Sequence, residues 1–384
     1  MNKETAKQIV DLLFKMYYDD IPDAFINKST HGLIIDFIGG EPLMNIDILD
    51  YTCTYFLNKC LELDHEWMYN SRFSFATNGM LYFEPRIQAF LKKFNKFISL
   101  TVSIDGPKEI HDICRKDYNG KGSFDTAYKA MKHWITYYNT ENYRGDTKVT
   151  IAPENLHNLN KIIDFFINDG ITEIHANPIY EEKWTPEQAK QYYKELIILA
   201  DKLLDNPNVT CSIFNEMHNR PMKFSDDRNW CGGDGNMLAF DPFGKAYPCL
   251  RYMESSLGDS VPPIIVGDVK TGIYNTEETK QIKKNLNAIT RRNQSTDECF
   301  HCPIASGCAW CSAYNYQEHK CLNKRSTNIC WMHRASALAN VYYWNKKYIS
   351  EDSQKRVPIF LQQEHALKII TAEEYDYLLE ISIC

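Results

Sequence analysis

Leu33-Ile34-Ile35-Asp36-Phe37-Ile38-Gly39-Gly40-Glu41-Pro42 reads as a short buried strand that stops at two glycines, a carboxylate and a proline. The glycines allow close backbone approach to a ligand, and Glu41 offers a carboxylate to a cationic group. Outward from this stretch the chain repeats the same unit. Ile9, Leu12, Leu13, Met16 and Tyr17 recur at helical spacing over residues 4–18, and a further helix is predicted at about 46–63. The strand Phe73-Ser74-Phe75-Ala76 ends in Thr77-Asn78-Gly79, and a helix follows near 85–94. Ile98–Ser103 runs into Asp105-Gly106, a helix is predicted near 124–139, and Lys148–Ile151 ends in Ala152-Pro153-Glu154-Asn155. A helix at about 155–168 leads to a strand at 172–176. Strands alternating with helices imply a parallel α/β sheet built from right-handed crossovers. In barrels of such units the C-terminal strand ends carry the site. Polar clusters at four successive strand ends are more than turn chemistry requires, although Asn78-Gly79 alone is an ordinary turn signal.

The second half differs. Between Cys299 and Cys330 lie six cysteines, Cys299, Cys302, Cys308, Cys311, Cys321 and Cys330, and Cys231 and Cys249 precede them. Gaps of two, five and two residues from Cys299 to Cys311 let one loop present several thiolates to one centre. Iron–sulfur clusters are held in this way, typically by four cysteines each, so eight suggest two centres. Paired Cys-x2-Cys units also make structural zinc sites, which keeps zinc as an alternative. Cys53, Cys60, Cys114, Cys211 and Cys384 are scattered and read as small buried hydrophobes or idle thiols.

Composition narrows the class. The 384 residues suffice for two or three domains, and 44% hydrophobic content supports a large core. A net charge of −7, with no basic tract carrying interleaved aromatics, argues against a nucleic-acid partner. No apolar run approaches the ~20 residues of a membrane helix, and Met1–Thr5 lacks the apolar core of a secretory signal. A cytoplasmic location is expected, where clustered cysteines more often bind metal than form disulfides. The odd count of thirteen cysteines also opposes full pairing.

Three motifs, Phe37–Leu43, Ala76–Gly79 and Val102–Gly106, resemble those of the radical S-adenosylmethionine enzymes, and the cysteine region resembles their SPASM extension. Cys231, twelve residues, Gly244, four residues and Cys249 match the start of that extension. The resemblance covers roughly residues 4–345. It implies a partial (β/α)6 barrel over 1–185, a bridging helical segment over 186–228, a SPASM domain over 229–345 and a C-terminal tail over 346–384. It also implies two auxiliary [4Fe–4S] clusters and bound S-adenosylmethionine. Carried over by residue, Gly39, Gly40, Glu41 and Pro42 would bind the cofactor's amino group. Ser103 and Asp105 would line its pocket, and Arg115 would meet its carboxylate. Thr77 and Asn78 are contacts or turn formers. The first auxiliary cluster would take Cys231, Cys249 and Cys311, and the second Cys299, Cys302, Cys308 and Cys330. Cys321 is a fourth ligand of the first cluster or a bystander. The gap of two between Cys308 and Cys311 departs from the usual three.

The family's defining Cys-x3-Cys-x2-Cys occurs nowhere in this sequence. The chain reads as beginning in the first barrel helix, so that the first strand and the third [4Fe–4S] cluster would belong to a longer protein. As given, it is expected not to cleave S-adenosylmethionine. The resemblance implies a precursor peptide or protein as substrate and an electron donor such as ferredoxin or flavodoxin. The stretch Gly307–Tyr316, with Ile329–His333 and Leu338–Trp344, is similar to maturases that form thioether crosslinks in Cys-x3-repeat peptides. Leu250 stands where anaerobic sulfatase maturases carry an Asp, which weighs against that activity. The same residues also admit a non-catalytic Fe–S relative or a zinc-stabilised binding protein. Val341-Tyr342-Tyr343-Trp344 reads as part of one packed helix face near 331–347, with the lining of a peptide groove as the alternative, and a helix at 186–204 reads as the bridge between the two regions.

Overall fold

The computed structural model describes residues 1–19, 31–138, 146–223, 227, 231, 233, 237–308 and 311–383. Ala309, Trp310 and Cys384, which the sequence analysis included, lie outside them. The alternation of strand and helix is realised nearly residue for residue. Helix α1 (Lys3–Tyr18) is capped by Asn2 and precedes β1 (Leu33–Phe37), α2 (Ile46–Glu62), the short α3 (Trp67–Asn70) and β2 (Ser71–Thr77). Then come α4 (Pro85–Lys93), β3 (Ile98–Val102), α5 (Lys108–Cys114), α6 (Phe124–Tyr137), β4 (Asp146–Ile151), α7 (Leu159–Asn168), β5 (Glu173–Pro178), α8 (Pro186–Asp205) and β6 (Thr210–Cys211).

The strands lie parallel in two three-stranded sheets, β1-β2-β3 and β4-β5-β6. β3 and β4 touch, but no ladder joins them among the described residues. Register aligns the C-terminal ends: Phe37 pairs with Phe75, and Thr77 with Val102. In β2 the residues Ser71, Phe73, Phe75 and Thr77 point inward, and in β3 Ile98, Leu100 and Val102 do so, as the period of two requires. β1 departs from the sequence expectation of a buried strand. It pairs with β2 alone among the described strands, and Ile34 and Ile38 are 69% and 60% exposed. An edge strand covered on one side leaves alternate side chains in solvent however apolar they are.

The second half begins with an antiparallel sheet, β10-β9-β8-β7, formed by β7 (Ala239–Phe240), β8 (Lys245–Tyr247), β9 (Gly267–Asp268) and β10 (Gly272–Ile273). Gly244 turns the β7–β8 hairpin at φ +92°, and a β-carbon there would stand 2.6 Å from Val269 Cγ2. Short helices α9 (Glu254–Leu257), α10 (Glu277–Asn287), α11 (Arg291–Gln294), α12 (Asp297–Phe300) and α13 (Ser312–His319) carry the cysteine loops. The long α14 (Cys330–Ser350) follows, then α15 (Gln363–Ala366) and α16 (Ala372–Ile381).

Helices α8 and α14 pack along each other and couple the two halves. Tyr192, Leu196 and Leu199 on α8 and Ala335, Leu338 and Ala339 on α14 are all fully buried. Small residues on α14 let the helix surfaces interdigitate closely. Tyr342 Oη donates to Asp201 at 2.7 Å, and Asn340 Nδ2 donates to the Ile213 carbonyl at 2.9 Å. No described helix is long and apolar enough to cross a membrane.

Candidate functional site

Two groups of residues stand out, one at the strand ends and one among the cysteines. At the strand ends the Glu41 carboxylate is held by three donors. It accepts from Leu43 N at 3.1 Å, from Thr77 Oγ1 at 2.7 Å and from Asn78 N at 2.7 Å. Thr77 is 1% exposed, and its hydroxyl also accepts from Gly79 N. Asn78 forms a turn, its Oδ1 accepting from Met80 N. Ser103 N donates to the Thr77 carbonyl at 2.8 Å, stitching β2 to the end of β3. Pro42 opens the turn after Glu41. A β-carbon on Gly39 or Gly40 would meet nothing within 4 Å, so nothing in the described chain demands glycine there.

Asp105 and Arg115 form a two-pronged ion pair, Nε to Oδ2 at 2.5 Å and an Nη2 contact at 3.1 Å. Asp105 lies on the polar loop after β3, and Arg115 is the residue that ends α5. Behind them His111, fully buried at the end of α5, accepts at Nδ1 from Asp105 N. Its Nε2 therefore carries the proton toward Ser123 Oγ, which donates in turn to the Arg115 carbonyl. Burial lowers the His111 pKa from its ordinary value, with Arg115 adding to the effect against Asp105 and Asp112. The sequence analysis did not single out His111. Its role depends on packing that no local pattern reports.

The second group surrounds a cavity of about 280 Å³. Cys299, Cys302, Cys308 and Cys330 all line it, together with Arg291, Arg325, Arg334 and His333. Burial pushes the Cys308 thiol up, but His333, Arg325 and Arg291 outweigh it and bring its pKa down to about 6. Arg325 Nη2 donates to Cys308 Sγ at 2.8 Å. Leu361, Gln362 and His365 complete the wall. They belong to the C-terminal segment, to which the sequence analysis assigned no function. The arginines were also missed, although Arg291, Arg325 and Arg334 flank the cysteine loops in sequence.

Cys231, Cys249 and Cys311 stand apart from that cavity. A β-carbon on Gly233 would lie 3.4 Å from Cys249 Sγ and 3.7 Å from Cys231 Sγ. Burial pushes the Cys249 thiol up to about 11, and the nearby Cys311 and Cys231 thiols add to the rise. Cys311 caps α13, accepting from Tyr314 N. The Cys321 thiol donates to Asn323 Oδ1 at 2.9 Å. Among the described residues no three His, Cys, Asp or Glu side chains stand close enough to share one metal ion. A cluster of several irons spreads its thiolates wider than a single ion does. The four-cysteine cavity suits such an anionic group on a further count. The buried Nε and Nη2 of Arg291 have no hydrogen-bond partner in the described chain, and thiolate or sulfide would supply one.

The chain as a whole is similar to several known proteins. A radical SAM cyclopropyl synthase of Paramaledivibacter caminithermalis is 26% identical over 241 residues, 61% of this chain and 47% of that protein. A cysteine-type anaerobic sulfatase-maturating enzyme of Clostridium perfringens is 26% identical over 245 residues, 59% of this chain and 62% of that protein. The chain thus spans about half to three fifths of the length of these two relatives. No family profile matches it. Among solved structures, anSMEcpe with bound AdoMet superposes with a TM-score of 0.62 at 16% identity, covering 98% of this chain and 90% of that one. Streptococcus suis SuiB bound to its precursor peptide SuiA gives 0.52 at 15% identity, covering 84% and 68%. The chain is thus similar in sequence to radical S-adenosylmethionine enzymes and has an α/β fold matching theirs.

Proposed function

We propose that this chain forms the cofactor-binding and auxiliary-cluster portions of a radical S-adenosylmethionine enzyme that modifies a ribosomally made peptide or a protein. The observation that carries the reading is the single cavity lined by Cys299, Cys302, Cys308 and Cys330 and ringed by cations. In this reading β1 to β5 are strands of a partial (β/α)6 barrel, and residues 229–345 form the SPASM domain. Those four cysteines would hold one [4Fe–4S] cluster, and Cys231, Cys249 and Cys311 would hold another. When bound, such clusters supply one-electron transfer.

The chain's own residues do the positioning. Glu41, fixed by Thr77 and Asn78, presents a carboxylate edge to the ammonium group of S-adenosylmethionine beside the bare Gly39 and Gly40 backbone. Arg115, oriented by Asp105, offers the remaining guanidinium edge to the cofactor carboxylate. Precursor-peptide binding by SuiB supports a peptide substrate, with thioether crosslinking at cysteine as the specific chemistry. The relatives named as sulfatase-maturating enzymes favour the second reading, formylglycine-type oxidation. Leu250, beside Cys249, offers no base for it.

The test is anaerobic reconstitution followed by metal analysis. Two four-iron clusters require about eight iron and eight sulfide per chain. Zinc in their place would overturn the reading. Cys321→Ala should leave that content unchanged, because the Cys321 thiol bonds to Asn323 and does not line the four-cysteine cavity. With no Cys-x3-Cys-x2-Cys in the sequence, the chain by itself should release no 5′-deoxyadenosine on treatment with dithionite.

A further inference from the structure

We propose that Arg291 and Arg325 set the reduction potential of the cluster in the four-cysteine cavity by supplying buried positive charge that favours its reduced form. The inference rests on the reading of that cavity as a cluster site. Both guanidinium groups are almost out of water, Arg291 at 3% and Arg325 at 8% exposure. Burying a cation is costly unless an anion faces it. Among the described residues no carboxylate pairs with Arg291, and its Nε and Nη2 have no hydrogen-bond partner. Sulfur is what the two groups face. Both line the cavity, and Arg325 Nη2 donates to the Cys308 sulfur at 2.8 Å and to the Cys308 carbonyl at 3.3 Å.

A cluster on four thiolates gains one negative charge on reduction. Fixed cations therefore stabilise the reduced form more than the oxidised form and raise the potential. Net charge, hydrogen bonds to sulfur and solvent exposure are the protein's levers on such potentials. Arg325 applies two of them at once, a charge and a bond to a ligand sulfur. Arg291 applies charge in a position with no other use in the described chain. A purely packing role would need only their bulk.

The experiment is a potentiometric titration of the anaerobically reconstituted chain, followed by EPR. Wild type is compared with Arg291→Met, Arg291→Lys and Arg325→Met. Two midpoints are expected in wild type. In the Met variants one should move to more negative potential while the other, from the Cys231 group, stays. Arg291→Lys should keep the wild-type values. Iron lost from the Met variants but kept by Arg291→Lys would also support the proposal, since charge alone separates them. Unmoved midpoints in both Met variants would overturn it. So would an equal shift in Arg291→Lys, or iron loss from all variants alike. A wild-type chain that binds no iron would sink the cluster reading itself, which the metal analysis reveals before any titration.

Discussion

Glu41 and Gly39 are neighbours in sequence and opposite in what holds them. Glu41 depends on Thr77, a residue 1% exposed whose hydroxyl both donates to the carboxylate and accepts from Gly79 N. Thr77→Val keeps the shape and removes both bonds. It should cost about 2 kcal/mol in urea unfolding, since one partner is charged, and weaken S-adenosylmethionine binding by calorimetry. Gly39→Ala meets open space, so stability should stay within about 0.5 kcal/mol. Loss of cofactor binding in that variant would show that the ligand, and not the fold, requires the glycine. Unchanged binding would remove Gly39 from the site. His111 makes a prediction in pH. Its folded pKa lies below the ordinary 6.5 because of burial. As pH falls through 6.5 the unfolded chain takes up the proton first, so stability falls from there toward the folded pKa. It is fully present above that range. Asp105, Arg115 and Asp112 face the ring and modulate the size of the effect. His111→Gln should flatten the fall in unfolding free energy between pH 7.5 and 5.5 relative to wild type. An identical slope in both would assign the acid sensitivity to other groups, such as the buried His65, whose pKa is also lowered.

At the scale of elements, α14 does more than pack. Its N-terminus places Cys330 at the cavity, and its C-terminal half anchors the tail that walls the same cavity. Asn345 is fully buried, donates to the Val357 carbonyl at 2.9 Å and accepts from Val357 N at 2.7 Å. Asn345→Ala would strand both buried backbone groups, at a cost of about 2–4 kcal/mol. Amide exchange over residues 357–370 should quicken in that variant. The reconstituted cluster should also bleach faster in air, because Leu361, Gln362 and His365 come from this segment. Wild-type exchange rates would show the tail to be held by other contacts. The strand elements show how local pattern and context divide the work. β2 was legible because its buried and exposed residues alternate. β1 was legible as a strand, but its burial was not, because edge or centre is a property of the neighbours.

At the scale of the whole molecule, the α8–α14 contact is where the two halves meet. Ala339 is fully buried on α14, where a larger side chain would have to displace close-packed neighbours. Ala339→Leu should overpack the interface and cost about 1–3 kcal/mol. If α14 positions Cys330, bound iron should fall along with stability. Normal iron content in a destabilised variant would uncouple the packing from the cluster site.

The sequence alone determined the order of elements, since periods of two and 3.6 are local properties of the chain. It also singled out the strand-end motifs and the cysteine spacing. Only the tertiary structure decided which groups meet. Thr77 reaches Glu41 across thirty-six positions, Arg291 joins Cys330 at one cavity, and Leu361 closes that cavity from the tail. Cys321, in the same cysteine run, bonds to Asn323 instead. Local periodicity fixes what a segment is. Its partners follow from how apolar surface is buried across the whole chain, and no short stretch of sequence carries that information.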